Sequence, residues 1–284
     1  MLIVGCGDVG VRVARNLLGR VRLMALTSSS TRVAALRAQG LTPLQGNLDQ
    51  PVTLRRLAGL ATRVIHLAPP PGEGWADPRT MALLQALRRR NPPVSVVYGS
   101  TSGVYGDCGG DWVSEVRATH ADTPRAHRRV HAEQSVRFLG CASLVRTSIL
   151  RIPGIYAPDR EGGTPRARLL KGTPVLQAAD DVYTNHIHAD DLARACMLAL
   201  WRARPQRIYN VNDDTVLKMG DYFDLAADLY SLPRPPRVAR VDAGRQLSLQ
   251  VLSFMAESRR MVNARMKVEL GLRLRYPTVA VGLQ

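Results

Sequence analysis

The sequence predicts an α/β fold: a doubly wound parallel sheet between two layers of helices, with a smaller cap beside it. Three observations carry this expectation. Short apolar runs alternate with stretches of helical period up to residue 154, the first run feeds straight into a glycine-rich turn, and the rhythm loosens beyond residue 154. Strand–helix alternation at this spacing is the pattern of right-handed βαβ units. The chain has 284 residues, 45% of them hydrophobic, enough to bury a sizeable core.

The elements follow in order. Residues 2–5 form the first apolar run, and Val11, Val13, Ala14, Leu17 and Leu18 then recur at helical spacing. Leu23 to Leu26 predicts a second strand, ending in Thr27-Ser28-Ser29-Ser30, and residues 31–39 a helix. Residues 64–68 predict a strand broken by three prolines, 81–90 a helix, 94–98 a strand and 126–139 a helix. Residues 143–152 predict a strand stopped by Pro153-Gly154, 190–201 a helix, and 208–211 a last strand. The Gly-, Pro- and Arg-rich stretch 155–185 and the tail 213–284 are expected to build the smaller domain, and 1–154 with 186–212 the larger.

Composition excludes several classes. No apolar run approaches the ~20 residues that span a bilayer, and the start lacks the basic and long apolar regions of a secretion signal. A cytoplasmic protein with no membrane partner is expected. Cys6, Cys108, Cys141 and Cys196 form no C-x-x-C pair and no zinc-like spacing with histidine, so no metal is expected. The net charge of +16 comes from 36 arginines and three lysines, spread along the whole chain. With 5% aromatic residues for base stacking, nucleic acid is disfavoured and a small anionic molecule is the expected partner.

Gly5-Cys6-Gly7-Asp8-Val9-Gly10 is G-x-G-x-x-G between a predicted strand and a predicted helix. In that setting the first glycine permits the tight turn, the second admits a pyrophosphate to the backbone, and the third lets helix pack on strand. The amides of Asp8, Val9 and Gly10 then open the helix toward the phosphates. This predicts a Rossmann-type dinucleotide site. NAD-preferring sites place a carboxylate about 20 residues on. Here Ser28 and Ser29 stand there, with Arg32 just beyond, a set that suits a 2′-phosphate and favours NADP over NAD. The competing explanation is that the serines cap the next helix.

Several segments together resemble the extended short-chain dehydrogenase/reductases, the NAD(P)-dependent epimerases and dehydratases of sugar nucleotides. They are GCGDVG (5–10), VIHLA (64–68), STSGVYG (100–106), ILRIPGIYAP (149–158), NHIHADDLARA (185–195) and YNV (209–211). The resemblance implies that Gly5, Gly7 and Gly10 line the pyrophosphate, Leu67 and Ala68 lie along the cofactor, and Pro153 and Ile155 meet the nicotinamide end. It also implies a Rossmann domain with a small C-terminal substrate-binding domain and the site in the cleft between them. Asn47 would reach the adenine, Thr101 supply the active-site hydroxyl and Asp191 close the domain junction, and the protein would be a homodimer through helices near 80–90 and 125–139.

The pattern breaks at the catalytic pair. The family has a Tyr, then a Lys four residues on, then commonly a Glu four further. Counting back from Glu133, those places hold Arg129 and Arg125. Arginine keeps its charge at any physiological pH and cannot trade protons. Tyr105, Tyr156, His127 and His131 are the candidates for taking over the proton. Arg166, Arg168, Arg259 and Arg260 are expected near the cleft, where guanidinium forks match phosphates. Two readings result: an oxidoreductase, epimerase or dehydratase with a non-standard site, or a non-catalytic dinucleotide-binding sensor or partner-binding protein.

Overall fold

The computed structural model describes residues 1–247 and 249–284. Its centre is a parallel sheet of seven strands: β1 (Leu2–Val4), β2 (Met24–Thr27), β3 (Thr42–Gln45), β4 (Arg63–His66), β5 (Ser95–Thr101), β6 (Arg146–Ile152) and β7 (Arg207–Asn210). They lie in the order β3-β2-β1-β4-β5-β6-β7, reversing direction of growth at β1/β4. In such sheets ligands bind outside the carboxyl ends of the strands at this switch point. The principal helices are α1 (Asp8–Leu17), α2 (Arg32–Ala38), α3 (Pro78–Arg88), α4 (Pro124–Ala142) and α5 (Ala189–Arg202).

Both faces of the sheet are buried, because successive side chains of a strand point to opposite sides. Ile3, Ala25, Ile65 and Val97 pack with Val13 and Leu17 of α1 and Leu192 of α5. Their neighbours Leu2, Met24, Val64 and Val96 pack with Leu83 of α3 and Val136 of α4. Capping follows the sequence. Asp77 Oδ1 accepts from the Thr80 amide at the start of α3, and Thr123 Oγ1 from the Ala126 amide at the start of α4, each with proline next in the chain.

Glu133 and Arg151 form an ion pair at 2.8 Å with both side chains buried, and Ser100 Oγ donates to the same carboxylate at 2.6 Å. Arg151 Nη1 is buried with no partner among the described residues, and the pair ties α4 to β5 and β6.

Two elements escape the sequence pattern. β3 carries Pro43, which an edge strand tolerates because its outward N–H has no ladder partner to lose. The 3₁₀ helix Pro51–Leu57 is too short to show a period. β5 also runs three residues beyond the predicted strand, to Thr101.

Beyond β6 a third core gathers Tyr156, Leu169, Val175, Phe223, Ala226 and Leu283. Short ladders frame it: Gly154–Tyr156 with His186–His188, Val175–Leu176 with Arg237–Val238, and Tyr183–Thr184 with Leu217–Lys218. The fully buried Asp191 joins the cores, its carboxylate accepting from the Arg275 and Tyr276 amides at 2.9 Å each and from Arg194 at 2.7 Å. No helix among the described residues is long and apolar enough to cross a membrane.

Candidate functional site

The glycine turn between β1 and α1 shows three different constraints. Gly5 has φ +82°, and a Cβ there would stand 2.2 Å from the Ala68 amide nitrogen. A Cβ on Gly10 would press at 3.2 Å on Gly5 O and on the Ile3 side chain, so this glycine sets the helix–strand distance. Gly7 is extended, and a Cβ on it would meet nothing within 4 Å. No side chain caps α1, and Asp8 turns its carboxylate to Arg12 at 3.2 Å. An open position in front of uncapped helix amides fits a pyrophosphate. Arg12, itself buried, also binds Asp159 and Asp190, which holds α1 against the segments following β6 and opening α5.

At the end of β2, Thr27 Oγ1 accepts from the Ser29 amide, and the hydroxyls of Ser29 and Thr31 are bonded at 2.6 Å. The residue at the N-cap of α2 is Thr31, with no side-chain cap, so Ser28 and Ser29 do not serve as caps. Arg32 Nη2 donates to the Cys6 carbonyl at 2.6 Å, which lays its guanidinium on the glycine turn. Val9 sits in the first turn of α1, half-buried. The Leu67 amide donates to Val4 O at 2.7 Å and brings Leu67-Ala68 against Gly5. Asn47 follows β3 with its Oδ1 accepting from the Asp49 amide at 3.0 Å. Pro153 and Ile155 follow β6, and the Ile155 carbonyl accepts from Arg160 at 3.1 Å.

Thr101 ends β5, its hydroxyl accepting from the Gly103 amide at 3.3 Å. A Cβ placed on Gly103 would lie 3.7 Å from Thr101 Oγ1 and 4.0 Å from Glu257 Oε2, so both groups border the Gly103 turn. Glu257 is fixed from behind by Arg259, which donates to it at 2.7 Å and to Gly106 O at 2.6 Å. Arg125 stands in the first turn of α4. Burial and the neighbouring Arg129 and Arg128 push its pKa down, while the attraction of Glu257 opposes them. Arg129 donates from Nη1 to Gly99 O at 2.8 Å and to the Tyr98 hydroxyl at 3.0 Å.

Residues 1–212 match the model of the NAD dependent epimerase/dehydratase family. A solved structure of a functionally unknown conserved protein from Silicibacter pomeroyi is 30% identical. The match covers 99% of this chain and 95% of that one, with a TM-score of 0.81. The chain belongs to the NAD-dependent epimerase/dehydratase family. The fold is shared more widely. UDP-glucose 4-epimerase from Thermotoga maritima, solved with UDP-glucose, is 17% identical with TM-score 0.80 over 99% of this chain and 95% of that one. The dTDP-glucose 4,6-dehydratase of Streptomyces venezuelae, solved with NAD, is 20% identical with TM-score 0.78 over 99% and 94%. No curated protein matches the chain.

The four candidate proton carriers each make other contacts. Tyr105 is fully buried, its hydroxyl donating to Asn210 Oδ1 at 2.7 Å with the Arg151 guanidinium over its ring. Burial raises its pKa further. Tyr156 is buried in the third core and donates to Thr278 O at 3.2 Å. His127 packs edge-on against Trp75 at the surface, and His131 Nδ1 accepts from the Asp77 amide at 3.2 Å. None of these bonds is to Thr101. A carboxylate at the Gly103 turn, that of Glu257, escapes sequence reading because it lies over 150 residues downstream of Thr101 in a segment without a motif.

Of the cleft arginines, Arg259 reaches the turn after Thr101. Arg260 is held between Trp112 and Tyr183, Arg166 lies over Tyr230, and Arg168 lies over Phe223. Arg168 has Nε and Nη2 buried with no acceptor among the described residues, and burial lowers its pKa.

A buried network lies behind β4. His66 Nε2 meets the Thr80 hydroxyl at 2.9 Å, and that hydroxyl donates to Asp77 at 2.7 Å. Burial pushes His66 down to about 4 and Tyr98 up to about 12.

Proposed function

We propose that the chain is an NAD(P)-dependent oxidoreductase of the epimerase/dehydratase kind. It takes a small anionic substrate of the nucleotide-sugar class, bound between the part formed by 1–154 with 186–212 and the part formed by 155–185 with 213–284. The observation that carries this reading is the glycine turn, in which Gly7 opens onto free space in front of an uncapped α1. NADP is preferred over NAD, supported by Ser28, Ser29 and the Arg32 guanidinium on the turn, with no carboxylate at residues 27–30. Asn47 contacts the adenine, Leu67 and Ala68 flank the cofactor, and Pro153 and Ile155 bound its nicotinamide end.

The bound nicotinamide supplies or accepts a hydride. The chain's residues do the rest. Arg125 and Arg129 hold an anionic group as fixed cations, and the unpartnered N–H groups of Arg168 suit a second. Thr101 hydrogen-bonds the substrate oxygen, and the Glu257 carboxylate takes the proton as that oxygen becomes a carbonyl. Geometry supports Glu257 because its oxygen and the Thr101 hydroxyl both lie within 4.0 Å of one point. Homodimerisation through α3 and α4 is supported by exposed Met81 and Phe138 beside Leu84 and Leu139 in a shared groove.

A non-catalytic sensor is favoured by one observation: Arg129 is already bonded to Tyr98 and Gly99, a structural use. Assaying NADP(H) turnover over a panel of nucleotide sugars separates the two. Turnover that Glu257→Gln abolishes while cofactor affinity is kept supports the enzyme. Tight cofactor binding with no turnover on any member supports the sensor.

A further inference from the structure

Because all seven strands are parallel, their N-terminal ends share one edge of the molecule, opposite the glycine turn and Thr101. Six helix-to-strand connections line it: 18–23, 39–41, 58–62, 89–94, 143–145 and 203–206. They contain Arg20, Arg22, Arg89, Arg90 and Arg204, all exposed, and not one Asp or Glu. Arg63 and Arg146 begin the adjoining strands. The connections are contiguous: the Val94 amide donates to Thr62 O at 2.7 Å, the Arg146 amide to Val94 O at 3.0 Å, and the Arg146 side chain to Leu200 O at 2.8 Å. The carboxylate that described contacts bring to this edge, Glu269, is already held by Arg207 and Tyr209.

Helix dipoles account for part of the charge, since cations at helix C-termini are favourable. They give no reason for the apolar side chains interleaved with it. Leu18, Val21, Leu60, Val94 and Leu144 are all exposed on the same connections, Leu144 completely, and Trp201 stands beside them under the Arg63 guanidinium. Five of the six are aliphatic. Aliphatic tips offer nothing for stacking nucleic-acid bases, whereas they gain free energy on leaving water for hydrocarbon.

We propose that this edge docks on an anionic lipid bilayer, the arginines meeting headgroup phosphates and the aliphatic tips entering the acyl boundary. This revises the expectation of no membrane partner, which rested on the lack of a spanning segment. Docking by this edge leaves the cofactor end of the sheet facing away from the membrane and open.

The test is co-sedimentation of the full chain with vesicles of phosphatidylcholine alone and of an equimolar phosphatidylcholine–phosphatidylglycerol mixture. Binding is expected only to the mixture, and it weakens at ~1 M salt, where the screening length falls to ~3 Å. Replacing Arg20, Arg22, Arg89 and Arg90 together by Gln lowers partitioning more than about 100-fold, at roughly fivefold per arginine. Leu144→Ser alone lowers it roughly tenfold, as expected for one lost apolar tip. Both variants keep the wild-type melting temperature and NADPH affinity, which separates this surface from the cofactor site. Three results each overturn the proposal: no binding to the mixture, equal binding to neutral vesicles, or binding to duplex DNA that is lost in the arginine variant but indifferent to Leu144→Ser.

Discussion

Gly5 and Gly7 are two residues apart in one turn, yet replacing them has opposite consequences. At Gly7 a new Cβ meets nothing within 4 Å, and the backbone is in the extended region open to any residue. Gly7→Val therefore costs the fold only about 1 kcal/mol, the scale of a changed N-cap. It fills the space in front of the α1 amides. If a pyrophosphate makes two charge-assisted hydrogen bonds there, at about 1.5–3 kcal/mol each, their loss weakens NADPH roughly 10²–10⁴-fold. At Gly5 the Cβ would collide with the Ala68 backbone at 2.2 Å, and φ is +82°. Gly5→Ala should thus lower the melting temperature sharply whether or not a ligand is present. The assay is a pair of measurements on each variant, NADPH fluorescence titration and thermal unfolding. If Gly7→Val binds NADPH like the wild type while remaining folded, the cofactor does not lie on this turn.

Arg32→Ala should weaken NADPH about 10–100-fold, the value of one charged hydrogen bond, and leave NADH affinity unchanged; parallel titrations decide it. Arg125→Ala and Arg129→Ala should each weaken an anionic ligand, and Arg129→Ala should also lower the melting temperature, because it strips the bonds to Gly99 O and Tyr98. Stability should depend on pH with a definite sign. His66 and His186 are pushed down by burial to about 4 from an ordinary 6.5, so the unfolded chain binds more protons and stability falls as pH drops from 6.5 toward 4. Asp213 is pushed up by burial to about 7 from 3.8, so between those values its folded form holds a proton that the unfolded chain has lost, and its contribution to stability falls as pH rises from about 4 to about 7. In a melting series against pH, Asp213→Asn should remove that loss between about pH 4 and 7 and leave the alkaline side unchanged.

The sheet, its two helix layers and the glycine turn were legible because each rests on local pattern: period 2 or 3.6 and glycine at fixed offsets. The edge strand around Pro43 and the last three residues of β5 were not, since proline and the Gly-Ser-Thr run carry no strand signal of their own. At the candidate site, Arg125 and Arg129 could be located by counting back from Glu133. What the arginines touch could not. Tyr105 stands in a recognisable turn, but its hydroxyl is spent on Asn210, a residue 105 positions away. Glu257 is the reverse case: no motif surrounds it, and only the folding of the tail brings it to the Gly103 turn that Thr101 also borders.

A crystal structure with NADP⁺ bound tests the central claim most directly. The account predicts the pyrophosphate on the amides following Gly7, the 2′-phosphate within reach of Ser28, Ser29 and Arg32, and the nicotinamide ring toward Thr101 and Glu257. A dinucleotide bound elsewhere, or on the turn with its nicotinamide directed away from Thr101 and Glu257, would contradict it.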